Sequence, residues 1–136
     1  MSMNEAQVEV LLEATDRVLH PGQELAGGFR LNTALPVMVR HVELSVLWYT
    51  EGKGDTDEGV IHHETCAENT QIDAARAFPF RVTLPEAPWS YDGKIVKIRW
   101  AVRVRIKPEN GAELAAEERF YLLPKGRKKP PTVEVS

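Results

Sequence analysis

Residues 97–106 constrain the fold more than any other part of the chain. Ile98, Trp100, Val102, Val104 and Ile106 recur at every second position, and Lys97, Arg99, Arg103 and Arg105 stand between them. A period of two places successive side chains on opposite faces of a pleated strand, whereas one face of a helix needs apolar spacings of three and four. The segment therefore reads as a long strand with an apolar and a basic face. Such a strand needs a second layer to cover its apolar side.

The same period recurs elsewhere. Val42, Leu44, Val46 and Trp48 alternate with His41, Glu43, Ser45 and Tyr49 in a second long segment. Shorter candidates lie at 7–12, 25–32, 59–68, 77–84 and 113–122, each bounded by glycine, proline, asparagine or aspartate. Asn110-Gly111 suits a tight hairpin, because both residues tolerate positive φ. Residues 72–77 offer the one helical spacing, too short to stand as a helix. The pattern predicts an all-β, two-layer antiparallel immunoglobulin-like β-sandwich of about seven strands, with a closed barrel as the alternative. Trp48 and Trp100 are expected in its core. Residues 1–123 form the expected domain, and residues 124–136 a basic, proline-containing tail.

With 136 residues the chain is long enough for one core, and its 43% hydrophobic and 27% charged composition suits a folded domain. A formal net charge of -3 argues against overall attraction to nucleic acid or an anionic membrane. Cys66 is the single cysteine, so no intrachain disulfide can form. Residues 1–13 lack a basic leader, and no run of eighteen apolar residues occurs, so a cytoplasmic location without an integral membrane segment is expected.

Four groups of residues could carry chemistry or contacts. Lys97, Arg99, Arg103 and Arg105 project from one strand face and could hold an acidic peptide. The competing reading pairs them across strands with acids such as Glu43 or Glu117. Trp100 lies on the opposite face of this strand, so the cations have no aromatic stacking partner interleaved among them on their own face, which disfavours single-stranded nucleic acid. His62, Glu64 and Cys66 include three acceptable metal ligands on alternate positions, but lack any paired ligand motif, so an ordinary polar strand face accounts for them better. The acids and glycines from Glu51 through Asp55, Asp57 and Glu58 to Gly59 match no calcium-loop pattern and read as a solvated hairpin. Val133 and Val135 follow a basic stretch of Lys125, Arg127, Lys128 and Lys129 and could add as a strand to a neighbouring edge, against the plainer reading of a solvated tail. Ser90 has no nucleophile-elbow context and Cys66 no orienting partner. No enzyme activity, cofactor or metal is expected.

Phe78-Pro79-Phe80-Arg81-Val82-Thr83-Leu84-Pro85, followed by Trp89-Ser90-Tyr91-Asp92-Gly93 and the alternating strand, resembles the arrestin-like superfamily. Pro21-Gly22, Leu25-Ala26-Gly27-Gly28 and Val42-Glu43-Leu44-Ser45-Val46 fit the opening of the same pattern. The resemblance covers about residues 8–122 and carries no catalytic signature. It implies an immunoglobulin-like sandwich acting as an adaptor for a protein partner. Members of that superfamily usually pair two such sandwiches, and this chain has the pattern once. The expected function is a non-catalytic protein-binding adaptor or scaffold using edge strands, loops and the basic strand face. The alternative is a structural subunit that self-associates into a homo-oligomer.

Overall fold

The alternating segments become the strands of a β-sandwich in a computed structural model, which describes residues 6–54 and 56–130. In chain order the strands are β1 (Gln7–Leu12), β2 (Val18–Leu19), β3 (Glu24–Asn32), β4 (Val37–Gly52), β5 (Glu58–Ile72), β6 (Phe78–Thr83), β7 (Tyr91–Asp92), β8 (Val96–Pro108) and β9 (Leu114–Leu122). Seven are the strands anticipated from periodicity. The two-residue β2 and β7 are additional, because two residues display no period.

One sheet has the order β1-β3-β6, and the other has the order β2-β9-β8-β4-β5, with β7 also pairing β8. The layers are open, so the closed barrel is not formed. The pairing is antiparallel except where β2 meets β9 in parallel, Val18 opposite Tyr121 and Leu19 opposite Leu122. The sandwich is otherwise antiparallel as expected, and the parallel contact is a two-residue addition made by β2. It follows from the chain crossing from β1 in the small sheet to the rim of the large one. The connection from β8 to β9 differs from expectation. It occupies residues 109–113, longer than a two-residue hairpin, with Gly111 at φ +106°.

The core forms between the two inner faces. β8 contributes Trp100, Val102, Val104 and Ile106, β4 contributes Val42, Leu44 and Val46, and the small sheet answers with Phe29, Leu31, Phe78, Phe80 and Val82. Trp100 is fully buried, its Nε1–H donates to the Pro88 carbonyl at 2.7 Å, and its ring lies 5.8 Å from that of Phe120. A buried ring of this size removes on the order of 200 Å² from water, about 5 kcal/mol of gross hydrophobic gain. Phe29 and Phe78 stack at 4.8 Å across β3 and β6.

Trp48 departs from expectation and is only partly buried. It pairs with Trp100 on one side and with Gly59 on the other, and its indole lies where a Gly59 side chain would be. β5 extends past the cover of a three-stranded partner sheet, so a ring directed across Gly59 keeps one face toward water. Leu47 and Ala101 are the reverse case, fully buried although they belong to the polar face.

Candidate functional site

The strand pairings lay out the outer face of the large sheet row by row. Glu58, Tyr49 and Arg99 form one row, Val60, Leu47, Ala101 and Arg119 the next. Below them run His63, Ser45, Arg103 and Glu117, then Thr65, Glu43, Arg105 and Ala115. The basic stripe is thus real as geometry, since Lys97, Arg99, Arg103 and Arg105 share this face. Its charge is another matter.

Three of the four stripe cations meet acids. Arg99 Nε donates to Glu51 Oε1 at 2.8 Å, Arg103 reaches Glu117 at 3.0 Å and Glu58 at 3.4 Å, and Lys97 stands 3.4 Å from Asp92. Arg119 adds a second contact to Glu51 at 3.3 Å, and Tyr49 donates its hydroxyl hydrogen to Glu117 at 3.0 Å. Arg99 holds the Glu51 carboxyl below its ordinary pKa by hydrogen bonding. Burial beside Glu117 pushes the Tyr49 phenol up. This lattice of charges roofs Leu47 and Ala101, which explains their burial on the outer side. Arg105 is exposed and has no ion pair among the described residues. It borders a depression of about 160 Å³ with Glu43, Glu58, Val60 and His63.

Beside this face lies the free edge of β5. The strand runs 15 residues and pairs only with β4. Register shifts between Val42 and Glu43 and between Val46 and Leu47 leave Cys66 and Ile61 as the extra residues of two bulges. Bulges twist an edge and disfavour pairing with another flat strand. The other free edge opposite it, β6, has six residues and contains Pro79, which offers no backbone donor.

The other candidate residues have structural partners. His62 Nε2 lies 3.0 Å from Glu64 Oε1, while Cys66 is half-buried at its bulge with its thiol pushed up to about 11 by burial and by Glu64. Among the described residues no three His, Cys, Asp or Glu side chains are grouped to hold a metal ion. Glu43 is shared by His41 and His63 at 3.6 and 3.3 Å. In the acidic loop, Glu51 and Glu58 turn toward arginines, and Asp55 lies outside the described residues. Ser90 is buried and clamps the chain to β9, its Oγ accepting from Leu122 N at 2.9 Å and its own N–H donating to Leu122 O at 2.8 Å. Residues 131–136, including Val133 and Val135, also lie outside the described residues.

The small sheet has its own surface feature. Leu11 is 77% exposed beside Gly28, on a trough of about 280 Å³. No described helix is long and apolar enough to cross a membrane.

No protein-family model matches the chain, and no curated protein matches it by sequence. Among solved structures it is similar to Spo0M, a sporulation control protein from Bacillus subtilis, at TM-score 0.68 and 20% identity, over 88% of this chain and 50% of that one. The chain therefore spans about half the length of this neighbour. At that identity the likeness shows the fold alone, and the fold it supports is the arrestin-like sandwich that the strand pattern resembled.

Proposed function

We propose that this chain is a non-catalytic adaptor or scaffold domain that binds a protein partner along the β5 edge and the outer face next to it. The observation that carries the reading is the 15-residue strand with one unpaired side, free of proline, with exposed Val60 on it and exposed Arg105 two strands in, across β4. An extended partner segment that follows the twist set by the bulges at Ile61 and Cys66, which a flat strand would not, gains main-chain hydrogen bonds at this edge, while alternate side chains reach toward the depression beside Arg105. Lys97, Arg99, Arg103 and Arg105 take part unequally. Arg99 and Arg103 orient the face through their acids, and Arg105, together with Lys97 at the far end, offers positive charge to an acidic residue of the partner. The arrestin-like fold of a sporulation control protein is consistent with a regulatory adaptor role, and the expected cytoplasmic setting belongs to the same proposal.

The test is quantitative affinity capture from native lysate with the wild type and a Val60→Asp/Arg105→Glu variant, followed by hydrogen exchange on the recovered complex. A partner lost with the variant, whose addition protects the amides of 58–72, supports the reading. Capture indifferent to both substitutions refutes it. Light scattering that shows a stable homo-oligomer, with the same amides protected, shifts the assignment to a self-associating structural subunit, which the same free edge would also serve.

A further inference from the structure

The large sheet splits at one end. β8 pairs with β9 from Trp100 to Ile106, but at Ile98 and Lys97 its partner is β7 instead. β9 meanwhile continues outward to meet β2 at Tyr121 and Leu122. A cavity of about 330 Å³ opens at this fork, about ten times the volume share of a water molecule. Arg17, Arg99 and Arg119 line it from three separate elements, with Ser90, Tyr121 and Ile98 beside them and no acidic residue in its wall.

The guanidinium groups are only partly satisfied. Arg99 meets Glu51 through Nε alone, Arg119 meets Glu51 through Nη2 alone, and Arg17 uses Nη1 for the Arg119 carbonyl and the Glu118 carboxylate. The Arg99 side chain is 19% exposed, yet neither of its Nη groups has a protein acceptor among the described residues. The same holds for the hydroxyl hydrogen of Ser90, which is 2% exposed and whose oxygen is taken by Leu122 N. Buried donors of this kind are costly unless an acceptor reaches them. Charge adds direction: the three cations have Glu51 and Glu118 as ion-pair partners, Glu117 acts on Arg119 from farther off, and all of these acids stand outside the wall.

We propose that the fork cavity is a carboxylate-binding subsite, which receives an acidic group of the partner between Arg17, Arg99 and Arg119. The inference rests on the adaptor reading and names the chemistry of part of its partner. Glu51 already shows the geometry, since one carboxylate bridges Arg99 and Arg119 from adjacent strands. A second carboxylate on the cavity side would use the remaining forks of the same guanidiniums. Glu51 then acts as an internal competitor that keeps the resting site only weakly positive.

Calorimetry on the full chain with defined peptides tests this. The probes are an acetylated, amidated hexaglutamate, its glutamine counterpart, and a neutral glycine-serine peptide with a free C-terminal carboxylate. Hexaglutamate binding that falls about tenfold in Arg17→Gln and Arg119→Gln, rises several-fold in Glu51→Gln and weakens with added salt supports the subsite. Binding of the free-terminus peptide with the same variant pattern assigns the carboxylate to a chain end, and its failure assigns it to side chains. Equal binding of the glutamine peptide, no binding of either acidic probe, or affinities unmoved by the arginine variants would overturn the proposal. Circular dichroism confirms that each variant is folded, and Arg17→Lys, which keeps the charge but not the fork, should recover part of the lost affinity. If partner capture depends on Val60 and Arg105 but ignores Arg17 and Arg119, the adaptor reading stands and the subsite falls.

Discussion

Gly27 and Gly28 are adjacent in β3, and the structure assigns them opposite responses to the same substitution. A Cβ at Gly27 would stand 2.2 Å from the Leu11 carbonyl oxygen, 2.9 Å from the Phe80 ring and 3.2 Å from Leu12 Cα. Two of those contacts are backbone of β1, which cannot yield without separating β1 from β3. At Gly28 the nearest atom is the Phe78 carbonyl oxygen at 3.4 Å, an ordinary contact, and the new methyl would lie in the outer trough beside Leu11. Gly27→Ala is therefore an overpacking change and should cost about 3 kcal/mol. Gly28→Ala should be neutral or stabilise by up to about 1 kcal/mol, because alanine removes unfolded-state freedom without strain. In a chain of this size the first corresponds to a fall in Tm of roughly 12 °C and the second to a rise of a few degrees at most. Urea unfolding followed by tryptophan emission measures both. Equal responses from the two variants, or an unperturbed Gly27→Ala, would refute the packing of β1 against β3 as described.

Four further outcomes are expected. Trp100→Phe should lose about 2 kcal/mol in urea unfolding, since it leaves the Pro88 carbonyl without its indole donor and shrinks the central ring. Arg103→Ala should cost no more than about 1 kcal/mol, because its contacts with Glu117 and Glu58 are partly exposed, and 0.5 M salt should narrow the difference from wild type. Cys66, with its thiol at about 11, should react with iodoacetamide at pH 8 roughly a hundredfold more slowly in the folded protein than in urea. For Glu51 the folded pKa is lowered, so its stabilisation is present above the ordinary carboxylate range and lost as pH falls from that range through the lowered folded value. The stability difference between wild type and Glu51→Gln should therefore shrink between about pH 5 and pH 3 in acid-dependent unfolding.

The long strands were legible because a period of two survives wherever one face packs and the other meets water. β1 coincides with its expected limits, and β8 extends the expected segment by one residue at its start and two at its end. β4 and β5 reach beyond theirs, because the irregularity at Arg40 breaks the alternation before His41, and β5 continues past Glu68 through Asn69, Thr70 and Gln71, which show no apolar period. Trp48 falls short of its expected burial, and Leu47 is buried on the polar face, for reasons no period contains: a three-stranded layer cannot cover a six-stranded sheet, and an ion-paired roof can bury an aliphatic side chain from the polar side. The basic stripe was legible as a row on one face. Its partners were not, apart from the acid at Glu117, because Glu51 and Glu58 flank a turn and look like loop residues. Arg17 and Arg119 lie 102 positions apart and meet only through the parallel contact of β2 with β9, which leaves no local signal.

The unequal layers also decide where a partner can act. A sandwich with matched sheets hides both edges of each layer behind the other; here β5 projects past its cover, and its inner residues His62 and Glu64 pair with each other at the rim instead of entering the core. Its outward neighbours are a charge lattice that is nearly self-neutralised, so attraction there comes from the places where pairing fails, Arg105 near the edge and the donors at the fork. Binding to such a surface gains its selectivity from position more than from net charge. A partner must match a bulged edge and present carboxylates at the right spacing, whereas hexaglutamate can fill the fork alone and should bind there more weakly than a cognate segment that uses both. The salt dependence of a cognate complex should accordingly be shallow, since few charges are exchanged, while that of hexaglutamate should be steep.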